Sequence, residues 1–349
     1  MRRLLRIAAA AALASLATAC MDFGPAEEER FEVEGHGVLI VCEGNFNFGN
    51  ASLSYYDTAR STVENSVFAR SNGIPLGDVA QSAVVRNGRA YIAVNNSGII
   101  FVVDTSTFRI VGTVEGLTSP RYIHFADDRK AYVTDLYDPR ITIFDPVTLE
   151  ITGHIDTGHA STEQMAQWGD LLYVCCWSYD DKVLVIDTRT DTVVDTITVG
   201  IQPAAAAADR NGKIWVLTDG GYEGSPYGYA APALFRIDAA TRRVEREFTL
   251  AFGTSASALC TDADGSTLYF INNDIMRMPA DADTLPAEPF IESPGTIYYG
   301  LGVDPLTSEL YVADAVDYMQ SGVVRRYSAR GELLDTFRTG VSPSAFGFR

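Results

Sequence analysis

The sequence predicts an all-β fold, a seven-bladed β-propeller of four-stranded blades, because three separate markers repeat in register along it. A strand centred on an aromatic residue or leucine recurs at Leu39, Tyr91, Tyr132, Tyr173, Trp215, Tyr269 and Tyr311, mostly 41 or 42 residues apart. A second strand runs into a turn former at Asp57, Asp104, Asp145, Asp187, Asp238, Pro279 and Ser328. A glycine with a proline three or four residues on marks Gly116 and Pro120, Gly200 and Pro203, and Gly340 and Pro343. A repeat of this length holds one small antiparallel sheet, which buries its two faces only when neighbours stack on it.

The elements follow in chain order. Residues 1–19 read as a lipoprotein signal peptide: Arg2, Arg3 and Arg6 flank an apolar stretch too short to span a bilayer. The run Leu16-Ala17-Thr18-Ala19-Cys20 resembles a lipobox, which predicts cleavage before Cys20 and lipidation of its sulfur. Residues 20–36, with Gly24, Pro25 and the acids Glu27, Glu28 and Glu29, read as a flexible acidic tether. Residues 37–349 form the propeller. Its first blade lacks an inner strand, and Ser344 to Arg349 sit where an inner strand belongs, so the C-terminal strand is expected to pair with the N-terminal blade and hide two open edges.

Composition narrows the partners. With 349 residues, 47% hydrophobic and 21% charged, the chain is neither disordered nor collagen-like. Its 27 basic and 45 acidic residues give a net charge of −18, which opposes electrostatic recruitment of nucleic acid and leaves neutral or cationic partners open. Removal of residues 1–19 makes the body more acidic still, at −21.

The connections separate into two faces. One carries tight hairpin turns at Asn87-Gly88, Asn211-Gly212 and Asp264-Gly265. The other, the top face, receives the loops between second and third strands and those entering each next blade. Aromatics concentrate there, and apolar side chains in loops mark binding surfaces. Polar groups join them, among them Glu43, Asn47, Asn50, Asn95, Asp135, Asp219, Asn272 and Asp314; amides suit a ligand rich in amides or hydroxyls. The insertion Asp219 to Tyr229, with three tyrosines set by Gly and Pro, is expected to fold over the mouth. The candidate ligand-binding residues are Asn45, Phe46, Phe48, Asn96, Arg121, Tyr137, Arg140, Trp177, Tyr179, Tyr222, Tyr227, Tyr229, Asn273, Tyr298, Tyr299, Asp317 and Tyr318.

No HExxH, GxSxG or P-loop motif is present, and His36, His124, His154 and His159 show no metal-ligand spacing, so neither catalysis nor a metal or catalytic cofactor is expected. Cys42, Cys175, Cys176 and Cys260 are expected to be free thiols. Two alternatives stand beside simple ligand capture. One is a lactonase-like or quinoprotein-like propeller enzyme with Glu43, Asn95 and Asp219 around a metal; the other is a glycan-binding surface lipoprotein, since stacked aromatics also suit sugars.

The blade from Leu171 to Gln202 is similar to the YVTN-type propeller repeat, a class that by itself implies no function. More specifically, the stretches GNFNFGNASLSYYD, LGDVAQS, NNSGIIFVVD, LTSPRYIHF, STEQM, CWSY, IQP, DGGYEGSPYGY, INNDI and VADAVDYMQSG resemble the BtuG family of surface cobalamin-binding lipoproteins of Bacteroidetes, over essentially residues 37–349. That resemblance implies capture of cobalamin, or of cobinamide and related corrinoids, as a transported ligand. It also implies delivery to a BtuB-type TonB-dependent transporter, from a lipid-anchored position on the outer membrane that faces the exterior; the alternative is a periplasmic one.

Overall fold

In the computed structural model, which describes residues 28–349 apart from residue 294, the repeat folds into seven antiparallel sheets. Blade one holds β1 (Gly37–Cys42), β2 (Ser52–Asp57) and β3 (Thr62–Glu64), followed by the short helix α1 (Val67–Asn72). Blade two runs through β4 (Ala80–Arg86), β5 (Arg89–Val94), β6 (Ile99–Asp104) and β7 (Ile110–Val114), and blade three through β8 (Pro120–Phe125), β9 (Ala131–Asp135), β10 (Arg140–Phe144) and β11 (Ile151–Asp156). Blade four comprises β12 (Met165–Trp168), β13 (Leu171–Cys176), β14 (Lys182–Asp187) and β15 (Thr192–Thr198). Blade five comprises β16 (Pro203–Ala208), β17 (Lys213–Thr218), β18 (Ala233–Asp238) and β19 (Arg243–Thr249). Blade six has β20 (Ala256–Thr261), β21 (Thr267–Asn272) and β22 (Asp274–Pro279), and blade seven β23 (Tyr298–Val303), β24 (Leu310–Asp314), β25 (Ser321–Tyr327) and β26 (Leu333–Val341). The last strand, β27 (Pro343–Phe348), pairs antiparallel with β1 and completes blade one, as the missing inner strand predicted.

The sequence markers have physical causes. The aspartates that close the third strands accept backbone N–H groups two or three residues on: Asp57 from Ala59 and Arg60, Asp104 from Ser106 and Thr107, Asp145 from Val147, Asp187 from Arg189, and Asp238 from Thr241. The second-strand tyrosines reach across to the outer turn of the next blade. Tyr91 donates to the carbonyl of Pro146, Tyr132 to Asp191, and Tyr173 to the carbonyl of Ala239. Each is thus a core side chain with a polar end satisfied by a neighbouring blade.

The core is not one mass. It is divided into layers between successive blades, such as Tyr91, Ile100 and Val102 of blade two against Ile123, Val133 and Phe144 of blade three. The seam between blades seven and one is built alike, from Tyr311, Ala313 and Val324 against Val38, Ile40 and Tyr56. Blade six departs from the pattern of four, with three strands. Beyond Pro279 its outer position is held by a single bridge from Ile275 to Ile291, in a segment interrupted by Pro286 and Pro289, which have no N–H to offer a ladder.

The tether is corrected over part of its length. Residues 28–36 dock on the propeller: Phe31 packs edge-on against Phe108, Arg70 grips Glu29 at 2.7 Å through both Nε and a terminal nitrogen, and Arg109 pairs with Glu28. His36 bridges Asp304 of blade seven and the carbonyl of Arg349, so the start of β1 and the end of β27 are held together on the face opposite the loops. The signal peptide and the lipidation residue Cys20 lie outside the described residues. Among the described residues no helix is long and apolar enough to cross a membrane.

Candidate functional site

The inner strands build the site by breaking their own alternation. Six of them carry a bulge near the top face, where one or two residues fall out of pairing: Ser344, Gln81, the pair Arg121 and Tyr122, Ala204, Ala258 and Tyr299. A bulge re-aims side chains, and all of these residues line one axial cavity of about 420 Å³. In blade four, Glu163 and Gln164 ahead of β12 take the equivalent place. Glu43, Trp177 and Asp219, at the ends of second strands, complete the wall.

The wall is two-sided. Blades five and six present Ala204, Ala205, Ala256, Ala258 and Leu259, while the opposite side is polar. There Arg121 donates from Nε to Glu163 at 2.7 Å and from a terminal nitrogen to Gln81, with its guanidinium 5.7 Å from the Trp177 ring. Trp177 Nε1 donates to Asp219 at 2.8 Å, and the Tyr299 hydroxyl donates to Glu43 at 2.7 Å. Three carboxyl groups therefore share the cavity with one arginine. Burial pushes Glu163 up to about 7 despite the pull of Arg121, and Glu43 and Asp219 add like charge. Burial also raises Glu43 and Asp219, against the donors that face them.

Around this cavity the top loops expose Phe46, Phe48, Tyr137, Tyr179, Tyr222, Tyr227, Tyr229 and Tyr318, all expected from the sequence, together with Phe252 and Met319, which were not. The insertion of blade five folds back on itself through the Gly221 to Tyr229 bridge. Its Tyr227 packs on Tyr179 with ring centroids 4.4 Å apart and the rings tilted by 30°, and Tyr229 meets Phe252 at 4.7 Å, so the loop joins neighbouring blades.

Other expected contacts are rearranged. Tyr298 stays in the ladder opposite Asp314, whereas Tyr299 falls out of it at the bulge. Tyr299 lines the cavity, whereas Tyr298, also expected at the ligand, is buried against Glu292 and Tyr327 away from the cavity wall. The amides mostly stitch loops together. Asn45 donates to the Tyr318 carbonyl, Asn96 to Asp78, and Asn273 accepts from the Ser255 N–H. Asp317 caps its own loop at Met319 and Gln320, and Arg140 is held by Asp138. Glu43 and Asp219 line the cavity, whereas Asn95 is buried outside its wall and donates to the carbonyls of Ser119 and Pro120. Cys42, Cys175, Cys176 and Cys260 are free thiols, as expected.

Gln81, Tyr122, Glu163 and Gln164 escaped the sequence reading. A signal for them exists: the residue after the marker proline is a bulge residue in Pro120-Arg121, Pro203-Ala204 and Pro343-Ser344, and the same repeat position in other blades finds the rest.

The fold and site define a seven-bladed β-propeller with an amphipathic axial cavity opening on an aromatic face. The chain belongs to the family described as a domain of unknown function (DUF5074), which matches residues 36–339. No curated protein matches the sequence. Among solved structures, a quinoprotein alcohol dehydrogenase-like protein from Bacteroides thetaiotaomicron aligns with TM-score 0.66 and 17% identity, covering 88% of this chain and 77% of that one. A periplasmic gluconolactonase from Pseudomonas aeruginosa aligns with TM-score 0.65 and 14% identity, over 90% of this chain and 99% of that one. The hydrazine synthase of Kuenenia stuttgartiensis gives TM-score 0.61 at 16% identity, over 76% and 88%. At these identities the likeness is one of fold.

Proposed function

We propose that the protein captures corrinoids, cobalamin among them, without chemical conversion, and passes them to a TonB-dependent outer-membrane transporter of the BtuB type from a lipid anchor at Cys20. The observation that carries this reading is the ring of exposed aromatics from blades one, three, four, five and seven around a preformed cavity with one polar and one apolar side. A cavity of about 420 Å³ is near the low end of the roughly 300–1,000 Å³ that encloses a drug-sized ligand. A corrin with its fringe of amides is broader and must lie across the rim. There the aromatics cover its apolar surface, and an amide or base reaches down toward Gln81, Arg121 and Tyr122. Covering half of one such aromatic, about 75–125 Å², contributes about 2–3 kcal/mol, so several rings on a rigid frame are enough for tight capture. The resemblance of the top-loop sequences to the BtuG family supports the same ligand.

Co-migration tests it simply, because cyanocobalamin is coloured: the mature chain should carry the ligand's absorbance through size-exclusion chromatography, and a Tyr227→Ala/Phe252→Ala variant should lose most of it. Free passage of the dye past the wild-type chain refutes the reading. One observation favours a second reading. A buried carboxyl near neutrality beside an arginine is also the equipment of an acid–base catalyst. If that were its role, the chain would hydrolyse a sugar lactone, Glu163→Gln would abolish turnover, and cyanocobalamin would not bind.

A further inference from the structure

Outside the axial cavity, one group of side chains on the top face of blade four has the chemistry of a metal site. We propose that His159, Cys176 and Asp180 bind one thiophilic divalent transition metal, with zinc the expected ion. His159 comes from the loop between β11 and β12, Cys176 ends β13, and Asp180 lies four residues on in the loop to β14. Their donor atoms all lie within 4.8 Å of one another, the one such convergence of three His, Cys, Asp or Glu ligands among the described residues. His159 Nδ1 already contacts Asp180 Oδ2 at 2.5 Å, and both side chains are about a fifth exposed, which gives an ion access.

The donor set selects the metal. A thiolate with an imidazole and a carboxylate suits zinc, held tetrahedrally at about 2.0–2.3 Å with the fourth position left to water, while calcium and magnesium take oxygen ligands. Ligand atoms around such an ion stand about 3.3–3.8 Å apart, so His159 and Asp180 move apart by about 1 Å while Cys176 closes in. The proton balance is simple: the Cys176 thiol gives up one proton to solvent as its sulfur bonds the metal, His159 binds through neutral Nδ1, and two anionic ligands offset the ion's two charges.

The site has a structural consequence. Trp177 and Tyr179 lie between Cys176 and Asp180, and the His159 loop leads directly to Glu163. A metal at this position clamps the segment that carries cavity and rim residues. This inference does not rest on the corrinoid reading, because it is read with the metal alone.

The experiment strips the full chain with a chelator and titrates it with Zn²⁺, and in parallel with Co²⁺, whose thiolate charge-transfer absorption reports a sulfur ligand. Wild type is expected to bind one ion, to melt at a higher temperature as Zn²⁺ is raised, and to show the Co²⁺ band. Cys176→Ser should remove the band, and His159→Ala should weaken binding at least tenfold. Asp180→Asn, at a partly exposed position where folding is not at stake, should also weaken it at least tenfold. His154→Ala and Cys260→Ser should bind as wild type. The proposal is overturned if wild type takes up no stoichiometric metal, or if Asp180→Asn and His159→Ala bind as tightly as wild type.

Discussion

Glu163 shows how a residue's surroundings reverse its ordinary behaviour. Its carboxyl titrates near 7 in the folded chain, against 4.5 for the free group, so the native state holds a proton that the unfolded chain has released. The stabilisation from that proton is complete below about pH 4.5 and is lost as pH rises through about 7. Melting temperature should therefore fall across this window, and the slope should be shallower in Glu163→Gln, whose amide oxygen still accepts from Arg121. Glu43 and Asp219 act with the same sign, so the slope shrinks but does not vanish; an unchanged slope would place the titration elsewhere. None of this was legible in the sequence. Glu163 stands in an ordinary polar run, and only the fold buries it beside Arg121 of blade three with Glu43 and Asp219 in the same cavity. The rim aromatics were legible, because an exposed loop position is set by the repeat alone. At that surface Tyr227→Ala should raise the corrinoid dissociation constant about five- to thirty-fold, about 1–2 kcal/mol, measurable by competition.

At the scale of strands and blades, the repeat was readable because local chemistry enforces it. An aspartate at a third-strand end caps its turn in each blade that has one, and Tyr91, Tyr132 and Tyr173 tie blades two, three and four each to the next. Tyr173→Phe should lower stability by about 1–2 kcal/mol in chemical denaturation, since it leaves the buried carbonyl of Ala239 unpartnered. The bulges were not readable. A strand period of two predicts which face a residue takes, and the slip at Gln81, Arg121 or Tyr299 arises where seven strands converge on one axis. The same crowding explains Gly300. A Cβ there would meet the Ser344 carbonyl oxygen at 2.3 Å, where the inner strand of blade seven passes that of blade one. Gly300→Ala should cost about 1–3 kcal/mol by overpacking, and removal of that seam should be visible as a lowered melting temperature.

For the whole molecule, closure decides what the fold can do. The first and last strands pair in one sheet, and His36 ties the start of that sheet and the carbonyl of Arg349 to Asp304 of blade seven. A ring closed this way holds its rim with little freedom to lose on binding, which is what capture of a broad, weakly polar ligand requires. The chain's net charge of −18 opposes electrostatic recruitment of anionic polymers and is compatible with an uncharged or cationic ligand. Capture should accordingly be little affected by salt, since the contacts on the rim are apolar and amide in character. The central claim is tested most directly by isothermal titration of the mature chain with cyanocobalamin, followed by cobinamide. Saturable one-to-one binding of cyanocobalamin, weakened in the rim variants, is the predicted result; neither heat nor a spectral shift with either ligand would contradict it and leave a propeller whose site serves other chemistry.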